Sequence, residues 1–268
     1  MINNYLAQQI KEIFPYVPTF EQEKAINSLS DFLLNRSADA AFILRGYAGT
    51  GKTSLIGALV KTMDKLGQKV VLLAPTGRAA KVFSTYAGHP AFTIHKKIYR
   101  QHSFSNETDN FSINDNLNTH TLFIVDEASM IANDGLSGSV FGTGRLLDDL
   151  VQFVYSGTGC RLLLMGDTAQ LPPVGEPEGI ALSAQAIGSY GLQVEEFTLT
   201  QVVRQEEGSG ILWNATQLRQ IITQDNPVVS LPKVRTGGFS DVATVPGGEL
   251  IDTIESCYSR DGMEESII

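Results

Sequence analysis

Short, wholly apolar runs alternate with longer amphipathic stretches along most of this chain. Ala41-Phe-Ile-Leu44, Val70–Ala74, Leu122–Val125 and Leu162–Met165 are each too brief for a helix and carry no polar position. A strand that is apolar throughout is covered on both faces, which predicts a parallel sheet between helical layers. The helices are legible too. Leu55, Ile56, Leu59, Val60, Met63 and Leu66 recur at helical spacing and stop at Gly67. Thr19 to Asn35 carries Phe20, Ile26, Leu29 and Leu33 on one face, and Thr19 with Gln22 has the spacing of a capping box. This alternation defines an α/β fold, a mostly parallel sheet covered by helices on both faces.

The pattern breaks in several places. Ser103–His120 is polar and rich in Asn, Asp and Ser around Phe104, Phe111 and Ile113. It reads either as a small β-hairpin turning at Asn106-Glu-Thr-Asp-Asn110 or as a polar loop. Asn133–Gly144 is rich in Gly and Ser and reads as a flexible loop. Beyond about Asn226 the alternation gives way to prolines, glycines and short β-like runs, and Gly247–Tyr258 predicts one more helix. The final Glu264-Glu-Ser-Ile-Ile268 resembles the opening of a buried strand, so a truncated chain is expected. Residues 1–230 are expected to form the main domain, carrying the 103–120 insertion, with 231–268 as a linker.

At 268 residues and 43% hydrophobic content, the chain can bury a full core. Its start lacks the basic and apolar regions of a signal peptide, and no apolar run approaches membrane-spanning length. Cys160 and Cys257 make neither a disulfide framework nor a zinc spacing. A soluble cytoplasmic protein without membrane contact is expected. The net charge of −9 argues at first against nucleic acid, but the charge is uneven. From Arg78 to His102 there are five basic residues (Arg78, Lys81, Lys96, Lys97, Arg100) and no acidic one, interleaved with Phe83, Tyr86, Phe92 and Tyr99. Screening over about 8 Å lets a contacting phosphate feel that patch and not the remote acids.

Three motifs carry chemistry. Gly46-Tyr-Ala-Gly49-Thr-Gly51-Lys52-Thr53 lies between a strand and a helix and fits a phosphate-binding loop. Its glycines let N–H groups approach phosphate oxygens, Lys52 supplies charge, and Thr53 can ligate Mg²⁺. Leu122-Phe-Ile-Val-Asp126-Glu127 ends a strand in two carboxylates, Asp126 suited to the metal and Glu127 to the attacking water. Leu164-Met-Gly166-Asp167-Thr-Ala-Gln170-Leu-Pro172-Pro173-Val-Gly175 delivers Gln170 to the same sheet edge, where it can accept from a water and donate to a γ-phosphate.

In this order, the segments from Thr19 to Gln205 resemble the N-terminal motor domain of a superfamily 1 DNA helicase, of the RecD-like branch that moves 5′ to 3′. Gly46–Thr53 resembles motif I, and Leu73-Ala-Pro-Thr76-Gly-Arg78-Ala-Ala-Lys81 resembles motif Ia. Thr93-Ile-His95 resembles the T-x-H element that follows. Asp126-Glu127-Ala-Ser resembles motif II, Gly166–Val174 motif III, and Leu199-Thr-Gln-Val-Val-Arg204-Gln the last motif of the first domain.

The resemblance implies a RecA-like P-loop NTPase domain using ATP and Mg²⁺. Lys52, Glu127, Gln170 and Arg204 would be catalytic, with Thr53 and Asp126 on the metal. Gln22, Gly46, Ala48, Gly49, Thr50, Gly51, Lys52, Thr53 and Asp126 would bind the nucleotide. Single-stranded DNA would meet Thr76, Arg78, Thr93, His95 and Lys96. In this family the hairpin before motif II is the pin that splits the duplex. Gln22 occupies the place of the glutamine that reads the adenine edge in this family, and bland alternatives stand beside several assignments: Gln22 as a capping-box residue, Arg204 paired with Glu206 or Glu207, and His95 as a core histidine. The family also needs a second RecA-like domain that supplies an arginine across the cleft, and nothing after Gln205 resembles it. A nucleotide-gated DNA-binding module without turnover is the rival reading. An unrelated phosphate-loop hydrolase, such as an AAA-type remodeller, is disfavoured by Gly166–Val174.

Overall fold

The computed structural model describes residues 2–35, 37, 39–101, 111–133, 140–173, 175–176, 179–203, 209–222 and 233–261. The chain divides into two units, Met1–Val203 and Arg204–Ile268. The first runs α1 (Ile2–Ile13), α2 (Phe20–Leu34), β1 (Ala40–Gly46), α3 (Lys52–Lys65), β2 (Lys69–Ala74), α4 (Gly77–Ala87), β3 (Ala91–Thr93) and α5 (Ile94–Ile98). It continues with β4 (Tyr99–Gln101), β5 (Phe111–Ile113), β6 (Thr121–Val125), α6 (Leu146–Ser156), β7 (Arg161–Gly166), α7 (Ala184–Gly188) and β8 (Gln193–Leu199).

The four apolar runs are β1, β2, β6 and β7, and the sheet order is β3-β2-β6-β7-β1-β8 with every neighbour parallel. Alternate residues of each strand serve different cores. Phe42, Leu44, Ile124, Leu163 and Met165 join Ile26, Leu29, Phe32, Leu55, Leu59 and Phe83 from α2, α3 and α4. Ala41, Ile43, Phe123, Val125, Leu162 and Leu164 join Leu147, Leu150, Phe153 and Ile187 from α6 and α7. That double burial is why no polar residue interrupts the runs. Because all strands run the same way, the ends of β1, β2, β6, β7 and β8 deliver their motifs to one edge.

The insertion is an antiparallel pair, with Tyr99↔Ile113, Arg100↔Ser112 and Gln101↔Phe111. The expected hairpin therefore exists, but its first described arm lies upstream of Ser103. Phe104 and the expected turn fall outside the described residues. Residues 114–120 form no strand. Instead the Asn116 amide donates to Phe153 O and Val154 O at 3.0 Å, closing the end of α6. The Asn133–Gly144 loop is partly tied down: Phe141 stacks on Phe111 at 4.6 Å, and Phe111 N–H donates to Val140 O at 2.8 Å. Residues 134–139 lie outside the description.

In the second unit, α8 (Gly210–Ile222) begins on Asp241, which accepts from Gly210 N–H at 2.7 Å and Ser209 Oγ at 2.7 Å. Gly247–Glu249 then opens α9 (Leu250–Asp261), where one more helix is expected from the sequence. Among the described residues, none of the β-like runs expected after Asn226 forms a strand. The C-terminal residues 264–268 are outside the description. Among the described residues, no helix is long and apolar enough to cross a membrane.

Candidate active site

The phosphate loop leaves β1 at Gly46 and enters α3 at Lys52. Gly49 and Gly51 take φ of 80° and 88°, a backbone state that side chains rarely adopt. Gly46 has a different reason: a Cβ there would lie 2.8 Å from Thr50 Oγ1 and 3.1 Å from the Leu199 carbonyl. Lys52 Nζ turns back into the loop onto the carbonyls of Gly46 and Tyr47, and Thr53 occupies the first turn of α3. Ala48 N–H is held by Asp167 at 2.9 Å.

Gln22 sits 2% exposed beneath this loop. Its Oε1 accepts from Thr19 N–H and its Nε2 donates to Thr50 O, each at 3.0 Å, so the capping box and the loop share one side chain.

Asp126 and Glu127 follow β6. Asp126 Oδ1 accepts from Glu127 N–H at 2.8 Å, and Glu127 adopts a left-handed φ of 52°. A non-glycine residue in that region is strained, a state that clusters at working sites. Burial drives Asp126 up to about 6; the charge of Glu127 adds to the rise, while the Glu127 N–H and the Lys52 charge draw it back. Gln170, on the exposed turn after β7, accepts from Ser129 Oγ at 3.3 Å. Ser129 is packed so tightly that a Cβ at Gly166 or Gly179 would meet its backbone at 3.1 and 3.2 Å.

Arg204 lies outside the described residues. The segment leading to it is firmly held: Glu21 accepts from Thr200 N–H and Gln201 N–H at 2.8 Å, and Val203 N–H donates to Gly49 O at 2.9 Å. Burial would raise the Glu21 pKa, but the Thr200 and Gln201 bonds and Lys24 bring it below the usual carboxylate range. Sequence reasoning gave no role to Glu21, Asp167 or Ser129. Each adjoins a quoted motif residue, but its partner lies far along the chain.

The candidate DNA contacts gather at the other end of the same edge. Ala74 pairs with Thr93 across β2 and β3, so the turns following both strands are neighbours. Thr76 caps α4 by accepting from Ala79 N–H, and Thr93 caps α5 by accepting from Lys96 N–H, each at 3.2 Å. Arg78 and Lys96 are exposed, and Lys96 Nζ lies 5.9 Å from the Phe92 ring. His95 is different. It packs edge-on to Phe141 at 5.1 Å and near Tyr99 at 5.7 Å, and burial lowers its pKa.

A glycine loop entering a helix, an acidic pair two strands away and a glutamine turn on the strand between define a RecA-like P-loop NTPase domain. The chain belongs to the family described as AAA domain, whose model matches residues 21–227, and within it has the character of the RecD-like superfamily 1 helicases. The ATP-dependent RecD2 DNA helicase of Deinococcus radiodurans is 33% identical over 171 residues, 63% of this chain and 20% of that protein. An uncharacterized protein of Methanocaldococcus jannaschii, MJ1519, is 34% identical over 167 residues, 58% of this chain and 13% of that protein. The crystal structure of Pif1 helicase from Candida albicans overlays with a TM-score of 0.47 and 19% identity, across 76% of this chain and 44% of that one. This chain thus spans a fifth or less of the length of those two curated relatives.

Proposed function

We propose that this chain is the ATP-binding motor domain of a 5′-to-3′ DNA helicase, coupling ATP hydrolysis to movement on single-stranded DNA. The observation that carries the reading is the shared edge on which Lys52, Thr53, Asp126, Glu127 and Gln170 meet. A magnesium nucleotide fits these residues: Lys52 Nζ turns into the loop onto the carbonyls of Gly46 and Tyr47, and Asp126 is an acid whose charge burial disfavours. Bound Mg²⁺ would neutralise phosphate charge, with Thr53 and Asp126 as the residues that would hold it. Lys52 meets the β/γ-phosphates, and the loop N–H groups cradle them. Glu127 orients the attacking water and takes its proton. Gln170 senses the γ-phosphate, and Arg204 is the catalytic arginine that the resemblance implies. Thr76, Arg78, Thr93, Lys96 and the His95 face form the DNA track, with the β4–β5 hairpin as the element that meets the duplex.

Calorimetry with ATP and Mg²⁺ tests the site. Lys52→Ala is expected to abolish measurable binding. Glu127→Gln is expected to bind normally and, once a second RecA-like domain is joined, to lose DNA-stimulated turnover. Normal ATP binding by Lys52→Ala would refute the assignment, and unaltered turnover by Glu127→Gln in that joined protein would remove the catalytic role.

A further inference from the structure

The β4–β5 hairpin grows out of an aromatic cluster on the α6 side of the sheet. Tyr99 opens β4 and pairs with Ile113 at the root of the ladder. Its ring lies 5.4 Å from Phe141 and 5.7 Å from His95, and Phe141 stacks on Phe111 at 4.6 Å. Such packing holds a hairpin down but sets its direction weakly, because the hydrophobic effect is non-directional. Direction comes from one buried side chain. Asp149, in the first turn of α6, is 0% exposed. It accepts from Tyr99 OH at 2.7 Å, Thr143 N–H at 3.0 Å and Thr143 Oγ1 at 2.8 Å. Burial, and then the Asp149 bond and charge, raise the Tyr99 pKa, so its hydroxyl remains a donor.

The segment before α6 closes the arrangement. Gly142 N–H donates at 2.7 Å to Phe111 O, on the second arm of the hairpin. Gly142 has a φ of 47°, and a Cβ there would run into Asp149 Oδ2 and lie 2.7 Å from Tyr99 Cε1. Its backbone is thus laid directly on the Tyr99–Asp149 contact, and Thr143 follows it onto the same carboxylate. The first arm is tied to Asp149 through Tyr99, the second through Gly142 and Thr143. The helix that carries Asp149 is itself fixed, with Leu147, Leu150, Phe153 and Val154 buried in the core beside Phe123, Leu162 and Leu164. We propose that Asp149 is a positioning residue that aims the β4–β5 hairpin at duplex DNA where the duplex joins the single-stranded track. The proposal rests on the reading that this hairpin meets the duplex. It assigns the hairpin's direction to hydrogen bonds on a carboxylate, which fix both distance and angle. A tilt at Tyr99 is carried along both arms, whereas the track residues Thr76, Arg78 and Lys96 stand on α4 and α5 and their caps.

Fluorescence anisotropy of residues 1–268 at one salt concentration tests the aim with three probes: a single strand, a blunt duplex, and that duplex carrying the strand as a 5′ tail. Wild-type protein is expected to bind the tailed duplex more tightly than either part alone. Tyr99→Phe removes only the hydroxyl and keeps the ring contacts with His95 and Phe141. Asp149→Asn keeps the size and replaces an acceptor oxygen by a donor. Both are expected to lose the preference for the tailed duplex. Single-strand affinity should stay within about two-fold of wild type, since the phosphate contacts of the track are untouched. If Asp149→Asn fails to fold, Tyr99→Phe carries the test alone. Val154→Ala is the control for stability, because it truncates a buried side chain in the same helix. It is expected to lower Tm and keep the preference. Retention of the preference by either folded hairpin-root variant, or its loss in Val154→Ala as well, would overturn the proposal. Wild-type protein without the preference would instead remove the reading of the hairpin as the element that meets the duplex.

Discussion

At the scale of single residues, the site carries a cost that can be measured without ligand. The Asp126 pKa is raised from 3.8 to about 6 in the folded protein. For a carboxyl with a raised folded pKa, the folded state holds the proton more tightly than the unfolded one. Stability is therefore highest below about pH 4 for this group and falls as pH rises through about 6. Asp126→Asn removes the penalised charge. In metal-free buffer at pH 7.5 it is expected to stabilise the protein by on the order of 1–3 kcal/mol, a Tm rise of several degrees. The gain should shrink toward zero at pH 4, while ATP·Mg²⁺ affinity is lost. An equal gain at both pH values would mean that packing, and not charge, is the cause.

At the scale of elements, the fold's hidden work is done by side chains that satisfy helix ends from a distance. Arg161, at the start of β7, donates to Phe32 O at 2.7 Å, Leu33 O at 3.0 Å and Asn35 O, closing α2 while its guanidinium lies 5.8 Å from the Phe32 ring centre. Arg161→Met is expected to lose roughly 1–3 kcal/mol, because buried carbonyls lose charged donors. Thermal unfolding reads the loss, and nucleotide affinity should not move, since Arg161 begins the strand whose other end reaches the site. A matching fall in ATP affinity would show that α2 transmits strain to Gln22. Such long-range pairings explain what the sequence reveals and hides. Strands β1, β2, β6 and β7 are legible because burial on both faces leaves uninterrupted apolar runs. Strand β8, Gln-Val-Glu-Glu-Phe-Thr-Leu, is an edge strand with only Leu199 buried, so its acids mask it. Strand β3 has three residues and owes its place to pairing with β2. The site was legible wherever a motif is local in sequence, as in Gly46–Thr53 and Asp126-Glu127. Asp167 on Ala48 and Glu21 on Thr200 were not, because 119 and 179 residues separate those partners.

At the scale of the whole molecule, the acidic total and the basic patch set the terms of DNA binding. With about three phosphates contacted, the logarithm of affinity for single-stranded DNA is expected to fall with that of salt at a slope of roughly −2. Arg78→Ala should flatten that slope, whereas His95→Ala should not, since burial lowers the His95 pKa. A salt-independent affinity would exclude the phosphate track. Turnover depends on more than this edge. An arginine supplied across a cleft by a second domain is worth about 10³–10⁵ in rate, roughly 4–7 kcal/mol of barrier. Translocation also needs two bodies that close and reopen on DNA with each ATP. Residues 1–268 alone are therefore expected to bind ATP·Mg²⁺, hydrolyse it near background with or without single-stranded DNA, and unwind nothing. Joining a second RecA-like domain that carries such an arginine should bring DNA-stimulated hydrolysis. Robust DNA-stimulated turnover by monomeric residues 1–268 would falsify this division of labour and place the missing charge within the chain itself.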